Sequence, residues 1–428
     1  MNFFELSSVL IALAALFSFL NFKYLRLPTT IGIMLMALIV SLVLIVLGGS
    51  GLGIREIAAH IIAGVDFQHL VLHVMLAFLL FAGSLHLDMS QLRAQWTPIA
   101  ALALIGTALS TLIVALLIHF ALGAIGIALP WLYSLLFGAL ISPTDPIAVL
   151  AIMRSVAAPA DLQTLLAGES IFNDGVGVVF FLSLLDLTTG ATGPNWTQAA
   201  LHLLASMVGG VAVGLAAGIL VYQMVKRVDQ YHVEILLTLA LAMGSFTLAE
   251  AIHVSAPIAA AVAGLFMGNH GRSFGMSATT QEYLDTFWEL IDEILNALLF
   301  MLIGLEVLTI DFSLRLLLAG VLAIAIVLLS RWLSVWGMLS MFRWRVFQRG
   351  STAVLVWGGL RGGLSFAMAL SIPVVQFRNP IAVMTYCVVA FSIVVQGLSI
   401  REVIKRALRE NTLTPLKSEE TENVRSQV

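Results

Sequence analysis

The sequence predicts an all-α polytopic membrane protein of about thirteen transmembrane helices. Spans one to six and eight to thirteen form an inverted repeat around two broken helices. Three observations carry this. Of the 428 residues, 60% are hydrophobic and only 11% charged, with a mean hydropathy of +1.03. The apolar residues fall in runs of about 20. Two of the runs, seven spans apart, are interrupted by prolines or glycines. A soluble domain cannot hide so much apolar surface, and disorder needs low hydrophobicity with high charge. Lys+Arg is 21 against 24 for Asp+Glu, with no basic stripe, which argues against a nucleic-acid partner. The single cysteine, Cys387, excludes an internal disulfide and a cysteine-based zinc site.

The runs lie near 3–22, 27–49, 69–87, 98–122, 131–153, 162–186, 199–224, 232–250, 254–270, 283–308, 313–341, 349–373 and 380–402. They are too long and uniformly apolar for a membrane β-barrel, and an open sheet edge cannot sit in lipid. No Lys or Arg precedes the first run, which leads straight into the second, so it is not read as a cleaved signal peptide. With thirteen spans the loops on the N-terminal side carry Arg55, Arg315 and Arg378, three basic residues against sixteen on the other side. The N-terminus is therefore expected outside and the C-terminus in the cytoplasm. The tail after about residue 402 is short, basic first and acidic later (Glu419, Glu420, Glu422).

The third run ends Leu80-Phe81-Ala82-Gly83 and reaches Asp88; the tenth ends Leu299-Phe300 and reaches Gly304 and Glu306. This weak likeness has the same seven-span offset. The fifth run contains Ile141-Ser142-Pro143-Thr144-Asp145-Pro146. Each proline removes a backbone donor and crowds the preceding turn, so the helix should break there and leave carbonyls free. In the sixth, Glu169 and Asn173 stack four residues apart, as do Ser170 and Asp174, giving a polar stripe with two carboxylates. The start of the tenth carries Glu289, Asp292 and Glu293, read as a partly solvated helix end, with a pathway funnel as the alternative. Arg331, in the eleventh, is taken as a snorkelling or pairing residue. The twelfth holds Arg361 among Gly358, Gly359, Gly362 and Gly363, where unwound backbone is easily accommodated. Interrupted segments at matching positions in two halves point to a transporter's binding site.

Ionisable groups deep in a bilayer are costly and are functional candidates by default. Of Asp145, Glu169, Asp174 and Arg361, the arginine needs a carboxylate partner, and Glu169 is assigned to it as a structural ion bridge. Asp145 and Asp174 are then surplus carboxylates beside free carbonyls, suited to a monovalent cation or a proton.

These four motifs, in order, resemble the NhaP/NHE-type monovalent cation:proton antiporters, over nearly the whole chain. The resemblance implies an NhaA-like antiporter fold and a homodimer. Residues 1–402 would be the exchanger domain. Its ion-binding core would come from spans near 69–186 and 283–402, and its dimerisation part from the remaining spans. Residues 403–428 would be a short cytoplasmic tail. By that likeness Asp174 binds the cation and the proton in turn. Asp145, Ser170 and the Thr144 carbonyl help hold the Na+, Asn173 braces the broken helix, and Glu169 and Arg361 form the bridge. The expected activity is secondary antiport of Na+ (or Li+ or K+) for H+ by alternating access, in a prokaryotic inner membrane. It is electroneutral because the pair is Asn173-Asp174 rather than two aspartates. No cofactor and no enzymatic reaction are expected, and no ATP-binding loop of the Gly-Lys-Ser/Thr type occurs. A cation channel would use the same acids as a selectivity ring, and a K+-selective antiporter the same shell. An intramembrane aspartyl protease would need a Gly-x-Gly-Asp segment, which is absent.

Overall fold

The computed structural model describes residues 3–48, 66–189, 196–308, 313–342 and 350–412. In chain order its main helices begin with α1 (Phe3–Leu20), α2 (Thr29–Gly48), α3 (Phe67–Leu85), α4 (Trp96–Ala124), α5 (Trp131–Ile141) and α6 (Ile147–Ser155). Then come α7 (Ala160–Thr189), α8 (Trp196–Val225), α9 (Tyr231–Ala251), α10 (Ala256–Phe266) and α11 (Ala278–Glu306). The last are α12 (Leu314–Phe342), α13 (Ser351–Trp357), α14 (Gly363–Leu370), α15 (Val375–Phe391) and α16 (Gly397–Thr412). Among the described residues there is no β-strand, and eight helical stretches are long and apolar enough to cross a membrane by length and composition. Many of their large side chains face outward, among them Leu201, Val208 and Leu220 on α8. That surface suits lipid rather than water.

The two predicted interruptions are present. Helix α5 ends at Ile141 and α6 resumes after Pro146; α13 ends at Trp357 and α14 begins at Gly363. The breaks meet. The Asp145 N–H donates to the Leu360 carbonyl at 2.8 Å, forming an isolated antiparallel bridge. Ser392–Gln396 is a π turn between α15 and α16. The last helix continues to Thr412, past the expected span end near 402, burying Ile400, Ile404 and Ala407. Tail residues 413–428, with Glu419, Glu420 and Glu422, lie outside the described residues, as do Arg55, Arg343, Arg345 and Arg349.

Close packing follows the seven-span offset. Helix α3, the third span, lies on α10, the ninth: Gly264 sits over the Phe81 carbonyl and Gly268, in the turn after α10, over that of Leu85. Seven spans away, α11 lies on α2, with Gly304 against Met34 and Ala37 and the Ser41 hydroxyl donating to the Gly304 carbonyl at 3.0 Å. Helices α4 and α12, the fourth and eleventh spans, pack on each other through Ser110 and Ser330 at 3.2 Å, with Ser334 donating to the Gly106 carbonyl at 2.9 Å.

A methyl group at Gly268 would stand 2.0 Å from the Leu85 carbonyl oxygen, whereas one at Gly244, inside α9, would meet nothing within 4 Å. Gly268→Ala is therefore expected to cost about 1–3 kcal/mol by overpacking. Gly244→Ala should be neutral or stabilise by up to about 1 kcal/mol through helix propensity. Thermal unfolding of the purified variants tests both signs.

Candidate functional site

Helix α7 carries the polar stripe predicted for the sixth span and lays it against the broken fifth. Asn173 spans the break with both ends of its amide: Oδ1 accepts from the Thr144 N–H at 3.2 Å and Nδ2 donates to the Thr144 hydroxyl at 2.9 Å. The Ser170 hydroxyl donates to the Thr144 carbonyl. All three residues are buried. One turn beyond Asn173, a Cβ at Gly177 would stand 2.3 Å from the Pro143 ring. Glycine there lets the unwound segment approach α7 closely enough for these bonds.

Asp145 turns its carboxylate toward the start of α6, where Oδ1 accepts from the Ile147 N–H at 3.0 Å. Free N–H groups at a helix start favour a negative charge. Gly362, from the other break, makes room for it: a Cβ there would lie 2.7 Å from Asp145 Oδ2. Asp145 and Asp174 are half-buried, and both line a cavity of about 550 Å³ together with Thr144 and Ser170. Asp174 lies within electrostatic range of Asp145 and Arg361.

The predicted ion bridge is corrected. Glu169, 1% exposed, pairs with Arg331 of α12 and not with Arg361. Nη1 donates to Oε1 and Nη2 to Oε2, the latter at 2.9 Å, and Nη2 also donates to the Leu355 carbonyl at 3.1 Å. A methyl at Gly359 would press on Arg331 Nε at 2.8 Å, so the glycine of the break opens space for this pair. Arg361, 2% exposed, does other work: Nη1 donates to the carbonyls of Ser142 and Pro143 at 2.7 and 2.8 Å. Those carbonyls end α5, where the helix dipole is negative and no helical donor follows. The sequence held a clue to Arg331, which lies in the middle of a 29-residue helix and is too deep to snorkel.

His86, Arg154 and Asp285 also line the cavity, and α11 adds Glu289, Asp292, Glu293 and Asn296. These acids were read as a partly solvated helix end. Glu289 and Glu293 are exposed and Asp292 is half-buried, but they do not lie at the helix end: α11 starts at Ala278 rather than near 283 because the Ser277 side chain caps it, accepting from the Thr280 N–H.

The sodium/hydrogen exchanger transmembrane family model matches residues 9–406. The chain belongs to this sodium/hydrogen exchanger family. It is 45% identical over 408 residues to the Na(+)/H(+) antiporter NhaP of Pseudomonas aeruginosa, covering 94% of this chain and 96% of that protein. It is 35% identical over 391 residues to the Na(+)/H(+) antiporter NhaH of Halobacillus dabanensis, covering 90% and 93%. The fold is that of the sodium proton antiporter MjNhaP1 from Methanocaldococcus jannaschii, with a TM-score of 0.73 and 19% identity over 94% of this chain and 97% of that one.

Within this exchanger, Glu169 and Arg331 should behave as one unit. Removing either leaves a buried, uncompensated charge, so each single alanine substitution should cost about 3–5 kcal/mol. The double substitution should cost clearly less than the sum in a thermal or denaturant cycle. Glu169→Ala combined with Arg361→Ala should be closer to additive.

Proposed function

We propose that this chain is a secondary active antiporter that exchanges Na+ for H+ across a prokaryotic inner membrane, with Li+ and K+ as alternative cargo. The observation that carries the reading is the pair Asp145 and Asp174, open to one cavity at the crossing of two broken helices. The arginine nearby has donors engaged by backbone carbonyls. The named activity of the Pseudomonas and Halobacillus relatives agrees with it.

In this reading Asp174 takes either a cation or a proton. Ser170, the Thr144 carbonyl and Asp145 supply further oxygens for Na+, and Asn173 fixes Thr144 in place. An unfilled carboxylate pair is an uncompensated charge in a low-dielectric path, so the loaded forms cross more readily. Alternating access with mutually exclusive loading then couples the two gradients. The spans number thirteen in an NhaA-like arrangement, with the ion-binding core near 69–186 and 283–402. The other spans hold a homodimer together. The three-against-sixteen distribution of basic residues supports a cytoplasmic C-terminus.

Asp174→Asn and Asp174→Ala should remain folded and lose Na+-driven proton movement in proteoliposomes; near-normal exchange by either would sink the assignment. Because Na+ and H+ compete for one group, the apparent KM for Na+ should fall as pH rises while the maximal rate changes little. With Asn173 uncharged and Asp145 held ionised at the start of α6, one cation moves per proton. A valinomycin-clamped potential should then leave the steady-state ion ratio unchanged. A ratio that follows the imposed potential would show that Asp145 also carries a proton.

A further inference from the structure

We propose that α11 builds a second, outer cation site from Asp292 and Asn296, where a monovalent ion pauses in the cavity before reaching Asp145 and Asp174. The proposal rests on the reading of those two aspartates as the exchange site. Residues 285, 289, 292, 293 and 296 recur at helical spacing on one side of α11, and all line the cavity. They are not equivalent. Asp285 is engaged by Arg272 and faces His86 at 3.7 Å. Asp292 is deeper and lies within electrostatic range of Asp145.

Asn296 supplies the independent observation. It is 1% exposed, and its Nδ2 donates to the Asp292 carbonyl at 2.8 Å. That bond fixes which end of the amide is oxygen, and Oδ1 is left buried with no hydrogen-bond partner. A buried amide oxygen without a donor is costly, and a cation satisfies it as well as a donor does. One helical turn further, about 4.5 Å along the axis, Leu299 lies against Gly363 at the second break. Along α11 the acid and the free carbonyl oxygen therefore stand between Asp285, paired with Arg272, and the contact with the second break. Among the described residues no three His, Cys, Asp or Glu side chains converge as a metal cage. The site suits a monovalent ion that keeps part of its water, not a divalent one.

The test uses 23Na NMR line broadening on the full chain in detergent, with Na+ alone as probe. Asp174→Asn should retain weak, K+-displaceable Na+ broadening. Asp174→Asn with Asp292→Asn should lose it, and Asp174→Asn with Asn296→Ala should weaken it. In proteoliposomes with Asp174 intact, Asp292→Asn should raise the Na+ KM about threefold or more, with the maximal rate within about twofold, and Asp292→Glu should restore the KM. If Asp174→Asn alone abolishes all broadening, or if Asp292→Asn leaves the KM unchanged, the outer site is overturned while the assignment of Asp174 stands. Full exchange by Asp174→Asn would instead overturn the reading of the inner site. Should Asp292→Asn fail to purify as a folded protein, Asn296→Ala carries the same two measurements.

Discussion

The structure depends on what happens to the backbone where two helices stop inside the protein. Each break strands N–H and C=O groups where water is scarce, and every unsatisfied one costs several kcal/mol. The breaks satisfy each other. The Asp145 N–H takes the Leu360 carbonyl, and Arg361 covers the carbonyls of Ser142 and Pro143. The remaining ends are held by neighbouring spans. Asn173 and Ser170 secure Thr144 on one side. On the other, Ser392 accepts from the Arg361 N–H and Gln396 donates to the Trp357 carbonyl. The two sets come from the sixth and thirteenth spans, again seven apart. Glycines at 177, 359 and 362 follow from the same requirement, since a side chain at each would push apart groups that must touch.

Much of this was legible in the sequence because its causes are local. Proline removes a donor wherever it stands, so Pro143 and Pro146 mark a break without tertiary information. Residues four apart share a helix face, so the stripe of Glu169, Ser170, Asn173 and Asp174 could be placed before any neighbour was known. The partner of Glu169 could not. Two arginines lie deep in apolar spans, and which one faces α7 depends on how α12 is rotated about its axis. Long-range packing sets that rotation; composition does not. The acidic face of α11 was under-read for a simpler reason. Apolar runs locate the lipid-facing part of a helix, and α11 begins before its apolar run at a serine cap, which puts its acids within the helix and along the cavity rather than at its end.

The exchange of arginine partners changes the electrostatics of the site. Glu169 and Arg331 close a neutral pair with matched, two-pronged geometry, so neither has charge to spare. Arg361 is held by carbonyl dipoles. It can steady Asp145 and Asp174 through space without occupying their oxygens, because its Nη1 donors point at the end of α5. Two carboxylates beside one committed guanidinium remain short of one positive charge. A direct bridge from Arg361 to either acid would leave that balance unchanged but occupy the acid's oxygens and block the site. With Nη1 spent on backbone instead, those oxygens stay open to a mobile ion that brings and removes the missing charge. In the proposed exchange a single bound proton or a single monovalent cation meets the same deficit, and so the two compete for one place.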